Sequence, residues 1–135
     1  MATSAQATDK GKKTTAIPRP VVWFEVLGKD GPGLQQFYGK LFDWAIADAG
    51  DGSGYGLVSA ADKGIGGGVG KTQDGGAGHV TVFIEVDDPA AYLARAEKLG
   101  GRTIMPPMEI PQFNLTFAYF ADPEGHVVGL SKGAV

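Results

Sequence analysis

Apolar positions along this chain alternate in period two, then recur every three to four residues, then return to period two, and the whole series runs twice. Val21-Val22-Trp23-Phe24-Glu25-Val26 predicts a strand over 21–27. Lys29-Asp30-Gly31-Pro32 opens a helix, with proline at an early helical position where its missing N–H costs little. Leu34, Phe37, Tyr38, Leu41 and Phe42 then form one apolar helical face. Short strands are expected near 44–48, 54–60 and 65–70. The second series begins with a strand at 79–86. Asp88 caps a helix with Pro89 in its first turn, Tyr92, Leu93, Ala96 and Leu99 are its buried stripe, and Gly100-Gly101 ends it. Strands at 102–106, 115–121 and 126–132 complete it. Pro106, Pro107 and Pro111 predict a stiff, irregular loop over 106–114.

The repetition is visible in the residues. Val21-Val22-Trp23-Phe24-Glu25-Val26 is answered sixty residues on by Thr81-Val82-Phe83-Ile84-Glu85-Val86, and Gly64-Ile65-Gly66-Gly67-Gly68-Val69 sixty-one on by Gly125-His126-Val127-Val128-Gly129-Leu130. A repeat at this period marks a duplicated supersecondary unit, here βαβββ, and an α+β fold class. The expected organisation is a disordered polar N-terminal tail over 1–20 and a single domain over 21–135. Its units span 21–70 and 79–132. The hinge 71–78, Lys-Thr-Gln-Asp-Gly-Gly-Ala-Gly, lets the second unit close on the first or reach another chain.

Composition narrows the function classes. The chain has 135 residues, enough for one core, with 43% apolar and 10% aromatic residues. Its 22 glycines cluster at 50–56 and 64–78, where turns and close backbone approaches are expected. A net charge of −3 without a basic stripe argues against nucleic acid. No apolar run is long enough to span a bilayer, and the tail, with Lys10, Lys12, Lys13 and Arg19, has no run suited to a signal peptide. No cysteine is present, which excludes disulfides, thiolate metal sites and a thiol nucleophile and suits a cytoplasmic protein.

Three stretches carry a family resemblance: Phe37-Tyr38-Gly39-Lys40-Leu41-Phe42-Asp43-Trp44, Ile65-Gly66-Gly67-Gly68 and Phe120-Ala121-Asp122-Pro123-Glu124-Gly125-His126. Over about 21–132 the chain resembles the vicinal oxygen chelate superfamily, the group of glyoxalases, bleomycin-resistance proteins and extradiol dioxygenases. The resemblance implies two tandem βαβββ units forming a curved mixed sheet, with a concave cleft on one face and the helices on the other. Members that hold a metal are expected to place His, Glu or Gln on the first and last strand of each unit. Those positions map here to Trp23, Gly68, Phe83 and Gly129. Indole, phenyl and glycine offer no oxygen or imidazole donor, so neither a metal nor another cofactor is expected.

Alternation then assigns faces. With Trp23 and Phe83 in the cleft, Glu25, Glu85, Gly66, Gly68, Gly70, Val127, Gly129, Leu115, Phe117 and Tyr119 join them. Val22, Phe24, Val26, Val82, Ile84, Val86, Ile65, Val69, Val128 and Leu130 then turn to the helices. The expected ligand-binding set is Trp23, Glu25, Gly66, Gly68, Phe83, Glu85, Phe117, Tyr119 and Gly129. It describes an aromatic pocket, roomy at its glycines and carrying two carboxylates. Trp23 and Phe83 serve equally well as plugs in a redundant cavity, and Glu25 and Glu85 as solvated residues at its mouth. His79 and His126 start strands away from the mapped positions, His126 pointing to the helices in a structural role. Gly66-Gly67-Gly68 lacks the following Lys-Ser/Thr of a phosphate loop. Two functions fit. One is a metal-free binder of a small aromatic or amphipathic molecule, for resistance or sequestration. The other is a metal-free lyase or isomerase with Glu25 or Glu85 as acid/base. A homodimer is expected, because paired units form the cleft in the superfamily it resembles.

Overall fold

The computed structural model describes residues 18–133. The predicted tail, with Lys10, Lys12 and Lys13, lies outside the described residues as far as residue 17. Residues 18–20 belong to the folded part. Arg19 Nε donates to the Tyr92 hydroxyl at 2.5 Å, and Pro20 O accepts from Glu85 N at 2.9 Å.

The first unit comprises β1 (Val21–Gly28), α1 (Gly31–Phe42), β2 (Ile46–Asp48), β3 (Gly56–Val58) and β4 (Gly66–Lys71). The second comprises β5 (His79–Glu85), α2 (Pro89–Lys98), β6 (Arg102–Ile110), β7 (Leu115–Ala121) and β8 (Val127–Gly133), with a 3₁₀ turn at Pro111–Phe113. All eight strands form one mixed sheet in the order β2-β3-β4-β1-β5-β8-β7-β6. Within each unit the first strand lies parallel to the last, β1 to β4 and β5 to β8, and β1 pairs antiparallel with β5. The two units therefore close on one another within a single chain. The hinge runs tightly beside β1. Thr72 N donates to Gly28 O at 2.9 Å, and at Gly78 (φ +87°) a Cβ would lie 1.8 Å from the carbonyl oxygen of Leu27, so only glycine fits.

Both helices start as their capping residues dictate. Asp30 Oδ1 accepts from Gly33 N at 3.0 Å, and Asp88 Oδ1 from Ala91 N at 3.2 Å. The helices cover one face of the sheet over two apolar clusters. Under α1, Val26, Val58 and Val69 pack with Phe24, Leu34, Tyr38, Trp44 and Ile46. Under α2, Val86, Leu93, Ala118 and Leu130 pack with Ile84, Tyr92 and Phe120.

Four expectations need correction. A register shift between Val21 and Trp23 marks a bulge in β1, which places Val22 against an open cavity rather than under α1. Ile65 precedes β4 and lines the same cavity. The expected loop over 106–114 is strand as far as Ile110. β6 is an edge strand, where prolines forfeit no ladder bond, and its pairing breaks between Met105 and Met108. The apolar helix faces are only half used. Phe37, Leu41 and Phe42 remain 58%, 57% and 52% exposed, and Leu99, which caps α2, is exposed as well. Among the described residues, no helix is long and apolar enough to cross a membrane.

Candidate functional site

The sheet face away from the helices collects side chains from both units. β1 brings Trp23 and Glu25, and β5 brings His79, Thr81, Phe83 and Glu85. Glu25 is buried, and its carboxylate is the hub of this face. Its Oε2 accepts from the Tyr55 hydroxyl at 2.9 Å, and its Oε1 from the Tyr119 hydroxyl at 2.5 Å, with His79 Nε2 2.7 Å away. Trp23 Nε1 donates in turn to the Tyr55 hydroxyl at 2.9 Å. The network thus joins Trp23, Glu25 and Tyr55 of the first unit to His79 and Tyr119 of the second. Burial first, and the negative charge of Glu25 second, push both phenols far above the usual tyrosine range. Both stay neutral donors, which is what a buried carboxylate needs. Three of the carboxylate's roughly four acceptor sites are thus taken by protein partners.

Tyr55 owes its place to local turns. Gln35 Nε2 on α1 donates to Gly54 O at 2.9 Å and to Val69 O at 2.7 Å, and Ser53 Oγ accepts from Tyr55 N at 3.1 Å. Together these fix the approach to β3.

The room expected at the glycines is largely filled by rings. A Cβ at Gly68 would lie 1.9 Å from the Tyr55 ring, and one at Gly129 would lie 2.4 Å from the Phe83 ring. Phe83 is buried, and its ring centroid stands 6.4 Å from that of Phe117 and 5.4 Å from that of Tyr119. Open space lies instead in the first unit. A cavity of about 670 Å³ is lined by Val21, Trp23, Leu57, Ser59, Ile65, Gly66 and Glu85 among others. Of the nine residues expected to bind ligand, Trp23, Gly66 and Glu85 line this cavity. Glu25, Gly68, Phe83, Phe117, Tyr119 and Gly129 form the packed region beside it.

Tyr55, His79, Leu57 and Ser59 were missed. His79 shares strand parity with Phe83, a signal that alternation alone supplies. Tyr55 lies in a glycine-rich turn with no periodicity to read. His126 belongs to a turn rather than to the helix side. It is largely exposed, its Nδ1 is 3.0 Å from Asp122 Oδ2, and its backbone N–H on Asp122 is the main cause holding that carboxyl below its usual range.

Strand register also tests the fit to a metal. Trp23 stands beside Gly66, Glu25 beside Gly68, and Phe83 beside Gly129. The mapped set is thus two residues out of step in the first unit, since Gly66, not Gly68, matches Gly129. Neither glycine carries a donor, and Trp23 and Phe83 offer rings only. Among the described residues no three His, Asp or Glu side chains come together. These positions do not fit a divalent ion.

The profile of the Glyoxalase-like domain family matches residues 25–131. The chain belongs to this family, within the vicinal oxygen chelate superfamily. Among its relatives is the anthracycline biosynthesis protein DnrV of Streptomyces peucetius, 31% identical over 129 residues, which cover 83% of this chain and 46% of that one. Another is CFP32 of Mycobacterium tuberculosis, whose name ranks it provisionally as a glyoxylase, 31% identical over 117 residues covering 84% and 44%. The glyoxalase-like chain described here therefore spans less than half the length of these relatives. Among solved structures, methylmalonyl-CoA epimerase from Mycobacterium tuberculosis superposes with a TM-score of 0.59 at 13% identity, covering 85% of this chain and 88% of that one. A Streptomyces coelicolor methylmalonyl-CoA epimerase in complex with 2-nitronate-propionyl-CoA gives 0.55 at 13%, covering 89% and 100%. At such identities the likeness shows the fold.

Proposed function

We propose that this glyoxalase-like protein is a metal-free binder of a small aromatic or amphipathic molecule, serving sequestration or resistance in the cytoplasm. The observation that carries this reading is the cavity beside Trp23, apolar on most of its wall and opened by Ser59 and Gly66. Glu25, the more enclosed carboxylate, is committed to three protein partners, which disfavours it as a general base. Relatives named for anthracycline biosynthesis are in keeping with a flat aromatic ligand. A chain without cysteine is compatible with a reducing compartment.

Indole emission tests the reading. Flat aromatic ligands are expected to quench the parent and Trp44→Phe proteins and to leave Trp23→Phe unchanged, because Trp44 is packed under α1. Quenching that follows Trp44 instead rejects the cavity as the site. The second reading is a lyase or isomerase with Glu85 as acid/base, favoured by the place of Glu85 on the cavity wall. Under it, Glu85→Gln lowers turnover by a factor of roughly 10² while ligand still binds.

The chain is also proposed to pair with a second copy through α1. Phe37, Leu41 and Phe42 leave an apolar strip exposed, and the curated relatives are more than twice as long as the stretch they share with this chain. Light scattering at tens of micromolar should give twice the chain mass, and Phe37→Ser with Leu41→Ser should return it to one. A monomeric parent refutes the pairing.

A further inference from the structure

Glu25 and Glu85 hold equivalent places in the two units. Each lies two residues beyond the ring, Trp23 or Phe83, that starts its half of the open face. Their surroundings differ sharply. Glu25 is met by two hydroxyls and an imidazole. Among the described residues, imidazole–carboxylate contacts join His79 to Glu25 and His126 to Asp122, and Glu85 takes part in neither. Glu85 instead lines the cavity, where it is the one ionisable residue in a wall without lysine or arginine. One strand over, Ser131 stands in register with Glu85. It shares the face of Gly129, is 1% exposed, and its Oγ has no hydrogen-bond partner among the described residues. A carboxylate and an adjoining hydroxyl, both with acceptor capacity to spare, suit a group that carries several N–H donors and a positive charge.

We infer that the cavity takes a cationic aromatic ligand, with its ring system on Trp23 and its positively charged N–H group received by Glu85, beside which Ser131 holds an unpaired hydroxyl. This rests on the binding reading above and names its ligand class. It separates the chain from its structural neighbours that hold acyl-CoA esters, since nothing on the cavity wall would receive phosphates and Glu85 would repel them. Stacking on the indole holds a planar body, and the charge contact sets which planar bodies are held.

Three tricyclic probes of matched shape and different charge at neutral pH test the inference: 9-aminoacridine (cationic), acridine (neutral) and acridine-9-carboxylate (anionic). Each is titrated by calorimetry and by Trp23 emission against the parent and Glu85→Gln. The expected order is cation over neutral by about tenfold, with the anion weakest. Glu85→Gln should bring cation and neutral probe to within about twofold. Equal binding of cation and neutral probe to the parent, or a cation preference that survives Glu85→Gln, overturns the inference while the cavity remains a binding site. Failure of all three probes to bind or to change Trp23 emission removes the binding reading itself. The probe series on the parent decides the matter even where Glu85→Gln folds poorly.

Discussion

The two halves of the open face start from the same plan and end differently. In the second unit Phe83 sits over Gly129, and β7 sets Tyr119 opposite Gly129 and Phe117 opposite Ser131, so three rings close the face. In the first unit Trp23 sits beside Gly66. There β3 sets Leu57 opposite Gly68, and Ser59 two residues on takes the place that Tyr119 holds in the second unit. One half is a small aromatic core and the other is a cavity, and the change from tyrosine to serine accounts for much of the difference. The packed half also serves the open one, because the Tyr119 hydroxyl crosses to Glu25. A duplicated unit thus offers two similar seats, and side-chain size does much to decide which is filled and which stays open.

Truncating the two central rings should break the symmetry of the plan most visibly. Phe83 is buried among rings, so Phe83→Ala should cost about 3–5 kcal/mol in urea unfolding. Trp23 borders open space, and Trp23→Ala should cost roughly half of that. Equal costs, or a larger cost at Trp23, would mean that the first unit is packed as tightly as the second.

Alkaline unfolding probes the link between the halves. Tyr55 and Tyr119 hold their protons in the folded protein far beyond the ordinary tyrosine value of about 10, from burial and then from the charge of Glu25. Above about pH 10 the unfolded chain gives up protons that the folded chain keeps, so stability is complete below that pH and falls as pH rises. The slope should be about 1.4 kcal/mol per pH unit for each phenol. Urea midpoints across that range should show it, and Tyr55→Phe or Tyr119→Phe should each remove about half. A flat profile would show that the hydroxyls are not clamped on Glu25.

Much of this was legible in the residues, and the limits are physical. Alternation placed Phe24, Val26, Ile84 and Val86 under the helices because a half-buried strand has no other arrangement. It failed at Val22, where a bulge resets parity, and no local feature of Val21-Val22-Trp23 announces the bulge. The reading of Pro106 and Pro107 as loop residues failed for another reason, since edge or interior placement depends on sheet order rather than on the segment itself. Alternation put Glu25 on the open face but could not show that three protein groups meet its carboxylate. Its partners come from a turn at Tyr55, a diagonal neighbour at His79 and a strand ninety-four residues away at Tyr119. Glycine at 68 and 129 reads as open space in a sequence. The structure assigns that space to rings that no local pattern could have brought there.

The smallest expected effect is also the most selective. Ser131 is a buried hydroxyl without a partner among the described residues, standing in register with Glu85 on the neighbouring strand. A buried polar group left unpaired costs on the order of 1–3 kcal/mol, so nothing favourable in the ligand-free protein should be lost in Ser131→Ala. The variant is expected to match the parent in stability or exceed it by up to about 1 kcal/mol, while binding 9-aminoacridine about threefold more weakly and acridine unchanged. The opposite signs matter more than the sizes. A residue that only fills space would lower stability and leave the charge preference alone, and a residue held for its hydroxyl does the reverse. If Ser131→Ala instead destabilises the fold by more than about 1 kcal/mol, the hydroxyl is already satisfied in the free protein. Glu85 would then receive the amine without it, and the open half would owe its selectivity to a single carboxylate.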